Sequence, residues 1–215
     1  FLTFSACLDI VHKLLPSVSD FTPDIAITSQ DDSNSIPSSI SREISGIPGV
    51  ESVFGMMHSI EYPAEINGHA ATVDLFSHGD TLLDSFKRSV ISGDISKVYG
   101  NSRYVMAVYS DHTSLDVGDT VKIGDEVLEV GCVLSEGVGS ISGSPVIVCS
   151  DETYTRLTGG QGYAMIGVML EKDASEAAVN RIYALSDGYV IMDRRAEDDT
   201  VQGSYWVFRI AAYGF

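Results

Sequence analysis

A chain of 215 residues with 44% apolar and 20% charged side chains has the composition of a globular protein and not of a disordered segment. Thirteen basic against thirty acidic residues leave a net charge of −17, a field that repels nucleic acid and anionic lipid headgroups and excludes nucleic acid as a partner. Three cysteines (Cys7, Cys132, Cys149) without a CxxC spacing supply neither a disulfide framework nor a zinc site.

In chain order, Asp9 to Leu15 reads as helical, stopped near Pro16. A short strand over Asp24 to Thr28 and a polar loop over Gln30 to Ser35 precede a helix opened by Pro37 and ended by Gly46, with Ile40 and Ile44 one turn apart. Ile47-Pro48-Gly49 turns the chain into one long strand, Val50 to Tyr62, with Phe54, Met56, Ile60 and Tyr62 on a shared face. Asn67-Gly68 predicts a tight hairpin, because both residues tolerate positive φ, and the return strand runs from His69 to Phe76.

Asp80 caps a predicted helix carrying Leu82, Leu83 and Phe86. Strands follow at Tyr104 to Tyr109, Val117 to Ile123 and Val127 to Leu134, the last two forming a hairpin across Gly124-Asp125-Glu126. The Gly/Ser-rich stretch 135–144 is a loop, Pro145 to Cys149 a buried strand, and Ser150 caps a short helix ending at Gly159-Gly160. Tyr163 to Leu170 reads as a central strand. Asp173 and Glu176 have capping-box spacing for a helix with Val179, Ile182 and Tyr183 inward. A last strand at Tyr189 to Met192 leads into a final helix from about Ala196.

This order predicts an α+β fold. Strand–helix–strand units at the two ends share one sheet as a ferredoxin-like split βαβ lobe, residues 1–63 and 161–215, and a strand-rich second lobe, 64–160, is inserted between them. No apolar stretch approaches the roughly 18 residues that span a bilayer. Both ends are nevertheless apolar and aromatic (Phe1 to Leu8; Tyr205-Trp206-Val207-Phe208 to Phe215), as at a membrane–water interface. A start at Phe1 with no signal-peptide pattern reads as a piece of something larger.

Catalytic and metal motifs are absent from the sequence. His12, His58, His69, His78 and His112 form no HExxH and have no cysteine at ligand spacing. Gly137 to Gly143 misses the spacing of GxGxxG and of GxSxG, and a strand follows where a phosphate-binding loop needs a helix. The acidic clusters Asp31-Asp32-Ser33-Asn34 and Glu197-Asp198-Asp199 lack EF-hand spacing and read as a solvated loop and an acidic first helical turn. The reading is a non-catalytic protein with no catalytic, metal or cofactor residue assigned, no cofactor, and no substrate-binding residue identified.

Three segments taken together carry a family resemblance. Ile44-Ser45-Gly46-Ile47-Pro48-Gly49-Val50-Glu51-Ser52-Val53 resembles the helix, IPGV, strand opening of the extracytoplasmic region in MacB/FtsX-like ABC permeases. Leu115 to Ile123 with Glu126 to Gly131 resembles the family's LxVGDTVxI hairpin, and Tyr163 to Leu185 its later strand and capped helix. Gly131-Cys132-Val133 departs from the family, which has a second valine before the glycine. The resemblance implies a porter-like lobe flanked by terminal stalk helices, on the extracytoplasmic side of the cell membrane. It implies partnership with a cytoplasmic ATP-binding subunit through a transmembrane part, with a second permease copy, and with an extracellular peptide, lipoprotein or cell-wall hydrolase. The role it implies is substrate capture or transmission of ATPase-driven motion by lobes that shift. The alternative is a secreted or surface-exposed, adhesin-like ligand-binding module.

Overall fold

The computed structural model describes residues 23–31, 33–80, 86–110, 115–135 and 142–196. In chain order the regular elements are β1 (Ile25–Thr28), β2 (Ile36–Pro37), α1 (Ser38–Ser45), β3 (Val50–Met56), β4 (His58–Ile66), β5 (His69–His78), β6 (Val90–Gly93) and β7 (Tyr104–Val108). They continue with β8 (Thr120–Ile123), β9 (Glu126–Leu134), β10 (Val146–Ser150), α2 (Asp151–Thr158), β11 (Gly162–Tyr163), β12 (Met165–Leu170), α3 (Glu176–Leu185) and β13 (Val190–Asp193). The fold is mixed α/β, with few helices and much sheet.

One sheet has the order β13-β1-β12-β3, each neighbouring pair antiparallel. Two antiparallel steps separate β1 from β3, so these strands run parallel with β12 between them. Alternation along the strands sends two sets of side chains to opposite faces. Ile25, Ile27, Ile166 and Val168 meet Ile44 of α1 and Val179 and Ile182 of α3 on one face. Ala26, Phe54, Met56 and Met165 occupy the other.

The second sheet has the order β6-β9-β7-β10-β5-β4-β8, and β8 pairs back onto β9. Six strands therefore close into a ring, with β6 continuing from the far half of β9. Val73, Leu75, Val105, Ala107, Val121, Leu128, Val130 and Ile147 fill its interior. On the outside of the same strands, Phe76, Met106, Cys132, Leu134 and Val148 join the free face of the four-stranded sheet in one apolar cluster. The two sheets thus share a core.

The structure departs from the sequence expectation at several places, among them Tyr163, which pairs with Ile36 in a separate two-stranded sheet and not in the central strand that begins at Met165. The predicted strand Val50–Tyr62 is divided at Met57, with β3 in one sheet and β4 in the other. Strand-forming residues continue on both sides of Met57, so the sequence carries no sign of a change of sheet. Tyr62 does not share a face with Ile60: a bulge between Ser59 and Tyr62, with Glu61 at φ 52°, reverses the alternation, so Ile60 packs between the sheets and Tyr62 against the ring interior. The buried Asp74 carboxylate accepts the Glu61 N–H at 3.1 Å and holds that bulge. The third helix begins two residues later than the capping-box spacing implies, because the Ser175 hydroxyl accepts the Ala178 N–H as N-cap. Strand β8 starts at Thr120 and not at Val117, since Asp116 to Asp119 form a turn with Gly118 at φ 96°. The expected helices at 9–15 and from Ala196, and the interior of the one capped by Asp80, lie outside the described residues; Phe86–Ser89 is a short 3-10 turn.

Within the shared core, Phe54 lies across its cross-strand partner Gly167. A methyl group on Gly167 would sit 2.2 Å from the Phe54 ring. Gly167→Ala is expected to destabilise the protein by about 1–3 kcal/mol through overpacking, read as a lower urea midpoint. An unchanged midpoint would mean that the ring is not fixed there.

Candidate functional site: the junction between the sheets

The chain crosses between the sheets twice: at Met57, and along the path β10, α2, β11, β12. Both crossings are tied by backbone and side-chain hydrogen bonds. The Met57 N–H donates to the Ser77 hydroxyl at 3.0 Å, and the Ser77 N–H to the Met57 carbonyl at 2.9 Å. The Ala164 N–H donates to the Met56 carbonyl at 2.9 Å. Asn34, from the loop after β1, brackets His58: its Oδ1 accepts the His58 N–H at 3.0 Å and its Nδ2 donates to the His58 carbonyl at 2.8 Å. The same amide nitrogen lies 3.1 Å from the Tyr154 hydroxyl, which pairs with the Ser59 hydroxyl at 2.6 Å.

Tyr154 is fully buried and extends from α2 into the end of the ring. Helix α2 is positioned by its N-cap Ser150, whose hydroxyl accepts the Thr153 N–H, and it ends at Gly159 in the left-handed conformation at φ 74°. Tyr163 then lies over Gly55 of β3 so closely that a methyl there would approach its ring to 2.3 Å.

The Tyr163 hydroxyl donates to Asp151 Oδ2 at 3.3 Å and joins the strand leaving the ring to the first residue of α2. Burial pushes the Asp151 carboxyl up to about 6; the Ser77 and Tyr163 hydroxyls pull it partly back, while Glu152 and Asp80 push it further up. Asp151 Oδ1 is buried with no hydrogen-bond partner, which agrees with a cost for the charged form. Burial, then the Asp151 charge, raise the Tyr163 hydroxyl, so it stays a donor.

The residues singled out in the sequence are dispersed. His58 stacks on Phe76 at 6.0 Å, His69 is exposed beside the hairpin turn, and His78 lies buried against Phe86, where burial drops its pKa to about 3 and keeps it neutral. Cys132 faces the space between the sheets and Cys149 the ring interior; both are free thiols, raised by burial, Cys132 to about 11. Asp31 closes a turn onto Ser33 at 2.6 Å, whereas Asn34 of the same cluster belongs to the junction. Ser142, at the end of the Gly/Ser loop, donates its hydroxyl to Asp74 Oδ1 at 2.6 Å. Cys7, His12, His112, 137–141 and 197–199 lie outside the described residues. Among the described residues no group of three or more His, Cys, Asp and Glu is placed to hold a metal, and no helix is long and apolar enough to cross a membrane. Nothing in the sequence marked Asn34, Asp151 or Tyr163, whose partners are 12 to 120 residues away.

No protein-family model and no curated protein sequence matches the chain. Solved structures do. The periplasmic region of MacB from Actinobacillus actinomycetemcomitans has 16% identity and a TM-score of 0.63, over 87% of this chain and 99% of that one. The extracellular domain of the noncanonic ABC-type transporter YknZ from Gram-positive bacteria has 16% identity and a TM-score of 0.57, over 79% and 98%. The chain has the fold of these extracytoplasmic permease domains.

The raised Asp151 gives a signed expectation. Its unfolded form releases its proton near pH 4 and its folded form near 6. The folded state therefore binds more protons across that window, and stability falls as pH rises from about 4 to about 6. Asp151→Asn is expected to remove this fall and to raise stability at pH 7 by about 1–2 kcal/mol: the gain from uncharging a buried carboxyl exceeds the few tenths lost at the helix N-terminus. Urea unfolding at pH 4.5 and 7 on both proteins reads this out. A variant less stable at pH 7 than the parent would contradict it.

Proposed function

We propose that this chain is the extracytoplasmic part of an ABC-transporter permease subunit, and that it passes ATPase-driven motion from the membrane to a partner outside. One observation carries the reading. The described body is entered and left at one place: the Arg194 N–H donates to the Asp24 carbonyl at 2.9 Å, and the Arg194 guanidinium pairs with the Asp24 carboxylate at 2.5 Å. Because β1 and β13 are neighbouring antiparallel strands, the start of β1 and the end of β13 lie side by side at one end of the sheet. That is the geometry a body held on two neighbouring membrane helices needs.

The finer assignments belong to this proposal. The four-stranded sheet, with its order β13-β1-β12-β3 and both helices on one face, is the ferredoxin-like, porter-like lobe. The ring is the inserted lobe, and its strands run from His58 to Ser150. The apolar core between the sheets supports transmission by the whole body. The MacB and YknZ likenesses support the placement and the need for an ATP-binding partner. The domain works without catalysis of its own, alongside a second permease copy, and its outer partner is a peptide, lipoprotein or cell-wall hydrolase.

Thiol labelling of the full-length protein in intact cells tests the placement. Val127 is 48% exposed on the ring, while the native Cys132 and Cys149 are buried. In a Cys7→Ser background, Val127→Cys is expected to react with a membrane-impermeant maleimide before lysis and to remain with the membrane fraction. Labelling only after lysis, or recovery from the medium, would overturn the proposal.

A further inference from the structure

The hairpin turn Asn67-Gly68 is tied to a strand far away in sequence. Asn67 and Gly68 are exposed, at φ 49° and 81°, between the paired residues Ile66 and His69. The Asn67 Oδ1 accepts two bonds from one residue of β8: the Thr120 N–H at 2.9 Å and the Thr120 hydroxyl at 3.3 Å. Its Nδ2 donates to Asp119 Oδ1 at 3.0 Å, and its backbone N–H donates to the Thr120 carbonyl at 3.0 Å. The seam that closes the ring here consists of the register pairs Glu65↔Lys122 and Ile66↔Val121, the Lys122–Glu65 ion pair at 2.8 Å and this amide.

The same contacts suit a reaction of the amide. Asparagine is thermolabile, most of all before glycine, whose nitrogen no side chain shields; even a Cβ built on Gly68 would meet nothing within 4 Å. In deamidation the Gly68 nitrogen loses its proton to water and attacks the Asn67 Cγ. Negative charge develops on Oδ1, the Cγ–Nδ2 bond breaks, and ammonia leaves. Water then opens the resulting succinimide to aspartate or isoaspartate, so that amide plus water gives carboxylate plus ammonium. Two donors already aimed at Oδ1 act as an oxyanion hole acts, stabilising charge where it develops.

We propose that Asn67 is a self-deamidating clasp: the Thr120 donors promote hydrolysis of its amide, and the carboxylate that results opens the seam between β4 and β8. The product has no donor for Asp119 Oδ1 and places a second negative charge against it, an arrangement that is destabilising across strands.

Ageing the full chain at mildly alkaline pH, followed by peptide mapping with isoaspartate detection at residue 67, tests the chemistry. The native protein is expected to lose the amide faster than the same chain unfolded in urea. Thr120→Ala is expected to slow the native rate about two- to tenfold, the worth of one neutral hydrogen bond. A native amide that survives as long as the unfolded one, or longer, overturns the proposal, because the clasp then protects. For the consequence, Asn67→Asp is expected to show several-fold faster hydrogen exchange over residues 120–123 than the parent. If that variant does not fold, the deamidated fraction of aged parent protein, separated by charge, is measured in its place. Unchanged exchange at 120–123 overturns the second half.

Discussion

The apolar layer between the two sheets is the contact on which the rest depends. Phe54, Met56, Met165 and Ala26 cover one side of it, and Phe76, Met106, Cys132 and Val148 the other. Complete burial of each larger side chain contributes about 1.5–3 kcal/mol, and neither sheet can leave the other without exposing its half. Helices α1 and α3 close the far face of the four-stranded sheet and the ring closes on its own interior, so this middle layer, with Tyr163 at its margin, joins the two halves by packing. The polar bonds of Asn34, Ser77 and Tyr163 lie around its margin and fix the orientation that packing by itself leaves loose.

From this follows the body's mechanical character. The chain arrives and departs at Asp24 and Arg194 on the four-stranded sheet, and the ring is carried beyond it. In the proposed function, a push at that end of the sheet would reach the ring through a close-packed core, which transmits strain, and through the junction bonds. The core that the two sheets share favours motion of the whole body over motion of one sheet against the other. The proposed function is therefore motion of the whole body. Burial outweighs the two hydroxyl neighbours of Asp151, so its charge costs stability near neutral pH.

Much of the fold was legible locally. The helix after Pro37, the Asn67-Gly68 hairpin, the buried Pro145–Cys149 segment and the Ser150 cap are written in adjacent residues, and the structure has them. What failed was non-local. The break at Met57 has no turn residue to mark it, and its cause is the pairing of β3 with β12 and of β4 with β5. The Glu61 bulge depends on Asp74, thirteen residues away in sequence. Asn34 was read among acidic neighbours as a solvated loop residue, yet its partner is the His58 backbone. The resemblance resting on Ile47-Pro48-Gly49-Val50 and Val117-Gly118-Asp119-Thr120-Val121 agrees in fold with MacB and YknZ at an identity of 16%. Those short segments are turns whose geometry restricts the residue, whereas the core accepts many apolar combinations.

The central claim, that two sheets form one mechanical body through a shared core, is tested most directly by hydrogen exchange of the native protein across a urea series. The account predicts that the amides of β12 and of β10 lose protection together, at one urea concentration and with one slope. Protection that persists in β10 after β12 has exchanged freely would show that the ring stands without the four-stranded sheet, and would contradict it.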